Sequence, residues 1–202
     1  MKAILYDWGG LNVWLFHLLN AVHAPWLDRL MQLGTRLGDH ANFPLYLALT
    51  ALFAVLATRH RTLSKDAGRQ TWLTVLAVFS LAYLLDGQFL NWLKPALDFP
   101  RPLLALPPGT VIVVGPAEYH HSLPSGHSSF AMLLCASLWP LFDRRGQLVG
   151  ALFVGWVGLS RISLGAHFPA DVLAGFISSL LIVLAVRYGI NWIAGTDRRP
   201  TT

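Results

Sequence analysis

Long apolar runs separated by short polar breaks dominate the chain, and run length predicts the elements. A helix needs roughly 20 mostly apolar residues to cross a bilayer. Stretches 41–58, 70–93, 125–142, 147–166 and 169–187 meet or approach that length. Only Asp143, Arg144, Arg145 and Gly146 separate the third from the fourth, which predicts an antiparallel helical hairpin. A further stretch, Trp8 to Leu27, is uncharged but interrupted by Asn12, His17, Asn20 and Pro25. The piece after it, Asp28 to Asp39, is amphipathic, with Leu30, Met31, Leu33 and Leu37 on its apolar side. Residues 1–40 therefore either supply another span or lie in the interface. Between 102 and 123, Pro107, Pro108, Gly109, Gly115 and Pro116 argue against a continuous helix. The apolar run Val111 to Val114 within that connection is expected to rest on the membrane surface. The first apolar stretch lacks a basic n-region and a small-residue cleavage site, so no cleavable signal is expected. No internal repeat or low-complexity tract is visible. The expected fold is all-α: an integral membrane helical bundle of five or six transmembrane helices, one domain over 1–202 with a cytoplasmic tail at 195–202.

Composition narrows the class. Hydrophobic residues make up 54% and charged residues 12%, the latter about half the share of a soluble domain. Together with a mean hydropathy of +0.51, this excludes a disordered or coiled-coil chain and argues against a cytosolic domain. The net charge of +5 does not point to nucleic acid, because the bases sit in short clusters between apolar runs. Arg59, Arg61, Lys65 and Arg69 form one cluster, Arg144 and Arg145 a second, and Arg187, Arg198 and Arg199 a third. Following the spans, all three fall on one side, which the positive-inside rule makes cytoplasmic. The connection 94–124 then faces outward. Trp26, Trp92 and Trp192 fit an interfacial aromatic belt. Cys135, the lone cysteine, lies in an apolar run and reads as a small buried hydrophobe.

A second set of ionisable groups gathers at the outer level. Lys94 and Arg101 flank Pro95 to Pro100, Arg161 nears the outer end of the fourth span, His127 opens the third, and His167 and Asp171 straddle the start of the fifth. Ionisable groups at membrane depth are costly, so their convergence points to function. Lysine and arginine clamp phosphate oxygens, arginine in bidentate fashion. Ser125-Gly126-His127 at a helix start offers free N–H groups and the positive end of the dipole. The i, i+4 spacing of His167 and Asp171 lets the carboxylate hold one ring nitrogen while the other attacks. His127 then remains as general acid. Together these describe phosphoryl transfer to a histidine with no obligatory metal or cofactor. His120, His121 and His127 with an aspartate could alternatively hold zinc, though the first two are adjacent and the usual ligand spacing is absent. Asp86, inside a span, needs a partner, structural or beside an active-site cation.

Three blocks carry a resemblance. Lys-x6-Arg-Pro at 94–102, Pro-Ser-Gly-His at 124–127 and Ser-Arg-x5-His-x3-Asp at 160–171 resemble the signature motifs of the type 2 phosphatidic acid phosphatase family, whose superfamily includes the vanadium haloperoxidases. The resemblance implies a phosphohistidine at His167, oriented by Asp171, with His127 protonating the leaving oxygen. It implies phosphate binding by Lys94, Arg101, Arg161, Ser125 and Gly126. A lipid phosphate in a bacterial cytoplasmic membrane would be the substrate, with undecaprenyl diphosphate first and phosphatidylglycerophosphate, phosphatidic acid and lipid A 1-phosphate as alternatives. A largely embedded chain argues against a haloperoxidase. The intact His167, Asp171 and His127 argue against a non-catalytic lipid-binding protein.

Overall fold

The computed structural model describes residues 6–59 and 65–196. These form α1 (Leu11–Asn20), α2 (Pro25–Leu37), α3 (Phe43–Arg59), α4 (Lys65–Leu97), the single turn α5 (Pro102–Ala105), α6 (Gly126–Leu138), α7 (Arg144–Ser163) and α8 (Pro169–Thr196). There is no strand among the described residues. Spans His40–Arg59, Gln70–Ala105 and Pro169–Gly195, built on α3, α4 and α8, are long and apolar enough to cross a membrane. The predicted hairpin is α6 and α7. Its second helix is shifted toward the N-terminus of the predicted 147–166, because capping sets both ends. The Asp143 carboxylate accepts the Gly146 N–H at 2.8 Å, and Gly165 beyond the other end adopts φ +77°. There a Cβ would lie 2.4 Å from the Ile112 carbonyl oxygen.

Trp8 to Leu27 does not form one crossing helix. The ten residues of α1 extend about 15 Å, half the hydrocarbon thickness. The chain then breaks before Pro25, which opens α2 at a position where proline is tolerated. Met31 and Gly34 of α2 are buried, and Gly34 lets the Trp156 ring of α7 come within 2.9 Å of where its Cβ would be. Trp26 and Leu33 stay exposed. The N-terminal region is thus a pair of short helices, the second packed on α7.

At the centre of the bundle, α6 is enclosed by α4, α7 and α8. Val78, Phe79 and Ala82 of α4, Phe130, Leu133 and Leu134 of α6 and Val183 of α8 form the core. Small residues let backbones approach, as in other membrane helix pairs: a Cβ on Gly175 of α8 would sit 2.5 Å from the Ser125 carbonyl oxygen. Arg187 donates to the Ala136 and Ser137 carbonyls at 2.7 and 3.1 Å, a cation on the negative end of α6. That end, with Arg144 and Arg145, is opposite the Ser125–His127 start. Arg61, Arg198 and Arg199, and the side chains of Lys65 and Arg69, lie outside the described residues. Leu73, Leu81, Leu84 and Trp92 on α4, and Ile177, Leu181, Leu184 and Trp192 on α8, are exposed, as surfaces solvated by lipid require.

The 102–123 connection is irregular beyond α5, as its prolines and glycines dictate. Its apolar run, however, is fastened to protein. Asn20 donates to the Ile112 carbonyl at 2.8 Å and accepts its N–H at 2.9 Å, and Val114 donates to Leu164 O at 3.2 Å. Val111 packs on the cluster of Phe16, Ile162, Phe168 and Val172. The run is therefore fixed to the protein at Ile112 and Val114, while the Ile112 side chain stays exposed.

Candidate active site

Lys94, Arg101, Gly126, His127, Arg161 and His167 line one cavity of about 450 Å³ at the N-terminal end of α6. Distinct elements deliver them: the last turn of α4, the residue before α5, the start of α6, the last turn of α7 and the turn before α8. His167 is 1% exposed and Asp171 wholly buried behind it. Asp171 Oδ2 lies 3.4 Å from His167 Nδ1 and accepts the Phe168 N–H at 2.8 Å. His167 therefore precedes α8 while Asp171 belongs to its first turn. The predicted pairing forms, but across a helix start and not along one helical face. On the other side of the ring, Arg101 Nη1 approaches Nε2 at 3.2 Å. Guanidinium can only donate, so this contact assigns the proton to Nδ1 and a lone pair to Nε2. Burial first, then the charges of Arg101, Arg161 and Lys94, hold the His167 imidazole well below the usual histidine range. It is neutral at pH 7.

The cations are held by carbonyls, one hydroxyl and one carboxylate. Arg101 donates through Nε to His120 O at 2.9 Å and through Nη1 to Ala166 O at 3.3 Å. Lys94 donates to His121 O at 3.3 Å. Arg161 donates to Thr35 Oγ1 at 2.6 Å, and its buried Nε has no partner among the described residues. It pairs with neither Asp171 nor Asp86. Gly126 and His127 open α6, where the first N–H groups lie outside the helix's own ladder. Ser125 is placed differently from the other predicted residues: its buried hydroxyl accepts from Ser128 Oγ at 2.9 Å and caps α6. His127 Nε2 lies 3.7 Å from Asp39 Oδ2.

Asp86 finds its partners behind the site. It accepts from Ser129 Oγ at 2.6 Å and lies 3.7 Å from His40 Nε2, which reaches Gly126 O at 3.1 Å. Its contacts thus steady the start of α6. His120 and His121 pair with Asp98 at 3.3 and 3.2 Å, and no set of three metal-ligating side chains converges among the described residues.

Sequence reasoning missed Tyr6, Ser122 and Glu118. Tyr6 OH donates to Asp171 Oδ1 at 2.8 Å, and Ser122 Oγ donates to Oδ2. Glu118 contacts Arg101 and Arg161. No spacing signal could have found Tyr6, 165 positions from its partner. Glu118 did carry one, as the only glutamate in the chain. Tyr6→Phe is expected to lower kcat roughly three- to tenfold, the worth of one hydrogen bond to a carboxylate that keeps its other donors. Steady-state kinetics on a lipid phosphate in micelles checks it, and a wild-type rate would assign Tyr6 to packing alone.

A family model described as the PAP2 superfamily matches residues 71–194. The lipid A 1-phosphatase of Rhizobium johnstonii is 29% identical over 138 residues, 64% of this chain and 55% of that protein. The chain thus matches about half the length of that relative. The undecaprenyl-diphosphatase of Sulfolobus acidocaldarius is 27% identical over 168 residues, 83% of this chain and 73% of that protein. The crystal structure of Aquifex aeolicus LpxE aligns with a TM-score of 0.70 at 24% identity, covering 87% of this chain and 94% of that one, which shows a shared fold.

Proposed function

The chain belongs to the PAP2 superfamily, and from that premise we propose that it is a metal-independent lipid phosphatase acting through a phosphohistidine on His167. One observation carries the reading: the unprotonated Nε2 of a neutral His167, held from behind by Asp171 and approached by Arg101, faces a cavity lined by three cations. Lys94, Arg101, Arg161 and the Gly126 amide bind the terminal phosphate and neutralise the charge that builds at phosphorus. His167 Nε2 attacks, an N–P bond forms and the P–O bond to the lipid breaks. His127, whose pKa burial and the Arg161 charge hold down to about 3, takes up a proton as the phosphate dianion enters and gives it to the departing oxygen. A water then attacks the phosphohistidine, His127 takes its proton, and inorganic phosphate leaves as the N–P bond breaks. Asp171 holds the Nδ1 proton throughout and stabilises the ring as it becomes cationic.

The substrate proposed is undecaprenyl diphosphate. The cavity accepts a terminal phosphate while the lipid remains beside the exposed apolar faces of α4 and α8, and the Sulfolobus relative is named for that reaction. The Rhizobium relative supports lipid A 1-phosphate as a second reading. Orientation rests on α6: the site occupies its N-terminal end, and Arg144, Arg145 and Arg187 mark the other. By the positive-inside rule the site opens on the outer face of the cytoplasmic membrane.

Phosphate release by the purified full chain in detergent, with excess chelator, tests all of this. Undecaprenyl diphosphate, phosphatidylglycerophosphate, phosphatidic acid and lipid A 1-phosphate form the panel. Release in chelator, fastest from undecaprenyl diphosphate and blocked by orthovanadate, is the expected result. Activity lost to chelator and restored by zinc or magnesium overturns the metal-independent mechanism. A different preferred lipid overturns the substrate alone, and no release from any member overturns the function.

A further inference from the structure

The two arginines of the cavity already hold an anion. Glu118 Oε2 contacts Arg101 Nη1 and lies 3.5 Å from Arg161 Nη2, and the same Arg101 Nη1 is 3.2 Å from His167 Nε2. One carboxylate oxygen thus bridges two guanidinium groups, a single donor away from the nitrogen that attacks. A phosphate oxygen reaching His167 needs that position. Both arginine side chains are 9% exposed, whereas that of Glu118 is 47% exposed and rides on the irregular segment between α5 and α6. Room to leave exists. Glu118 also borders a second, polar cavity of about 430 Å³ lined by Gln32, Thr35 and Arg36 of α2, where Arg36 offers another cation.

We infer that Glu118 is a tethered anion that re-enters the arginine clamp after hydrolysis and displaces inorganic phosphate. This rests on the proposed reading that the clamp binds phosphate. Three cations beside a helix start bind a phosphate dianion tightly. Affinity felt equally by substrate, transition state and product does not speed the chemistry, and for the product it slows turnover. The substrate also keeps its lipid in the bilayer and meets the site at high local concentration, so it can afford to displace the carboxylate. Free phosphate has no such second anchor. A competing carboxylate therefore raises the phosphate off-rate while a membrane-held substrate still fills the site.

The test compares the full-length wild type with Glu118→Gln, which keeps the shape and removes the charge, and Glu118→Ala, which removes both. Calorimetric titration with inorganic phosphate needs no turnover. It should show binding about tenfold tighter or more in both variants, the scale of one charge-assisted contact released for the ligand. On a lipid phosphate, KM and kcat should fall together, with a pre-steady-state burst of released lipid as phosphate departure becomes limiting, while the single-turnover rate holds. Thermal melting confirms that the variants are folded. Equal or weaker phosphate affinity in both variants, or no phosphate binding in any of the three proteins, overturns the inference and leaves Glu118 a structural partner of the arginines. Tighter phosphate binding in variants of a wild type that hydrolyses no lipid phosphate upholds the competition at the clamp and overturns the phosphatase reading instead.

Discussion

Replacing His167 with alanine is expected to lower kcat by about 10⁴-fold or more, because it removes the group proposed to form the covalent bond. No neighbour can take its place. His127 lies on the Asp39 side of the cavity, 3.7 Å from that carboxylate, and Lys94 is turned to the His121 carbonyl. The clamp remains, so the variant should still bind phosphate. Acid-labile, base-stable label should be trapped on the wild type from a radiolabelled lipid phosphate and be absent from His167→Ala. Because the ring is buried among α8, the 119–122 segment and Arg101, His167→Asn provides a second variant that keeps polar volume. Turnover within tenfold of wild type in either folded variant would falsify the nucleophile assignment.

Asp171→Asn is expected to cost about 10³- to 10⁴-fold in kcat with the backbone intact, as when a triad aspartate becomes an amide and its histidine adopts the wrong tautomer. The carboxylate here serves only donors: the Tyr6 hydroxyl, the Ser122 hydroxyl, the Phe168 N–H and the proton on His167 Nδ1. An amide offers one oxygen and one NH₂, so whichever way it is turned, its NH₂ meets a donor. If it faces His167, the ring must move its proton to Nε2, the nitrogen proposed to attack. Ring nitrogen chemical shifts from labelled histidine read that tautomer directly, and the loss should appear in kcat with KM little changed. A full rate with the proton still on Nδ1 would show that other groups orient the ring.

Much of this was legible in the sequence because both constraints are local. A bilayer demands long uninterrupted apolar runs, so α3, α4 and α8 stand out by length. The runs 125–142 and 147–166 become α6 and α7, which are not among the helices long and apolar enough to cross. Phosphate chemistry demands cations and histidines that lipid disfavours, so Lys94, Arg101, His127, Arg161, His167 and Asp171 are conspicuous against apolar neighbours. The boundaries were less legible. Asp143 and Gly165 shift α7 through one side-chain cap and one left-handed residue, and α1 stops short because Asn20 turns to hold Ile112.

The sequence alone determined the class of molecule and the level at which its chemistry collects, since hydrophobic run length and the cost of a buried charge are properties of the chain in any fold. Only the tertiary structure decided what each group does at that level. It put the Ser125 hydroxyl on the start of α6, tied Asp86 through Ser129 and His40 to that same helix start, brought Tyr6 across 165 positions to Asp171, and laid Glu118 between two arginines from different elements. Those contacts join segments far apart in the chain, and no periodicity encodes them. Their positions follow from how closely α8 can approach α6 at Gly175 and α2 can approach α7 at Gly34, distances set by packing between helices.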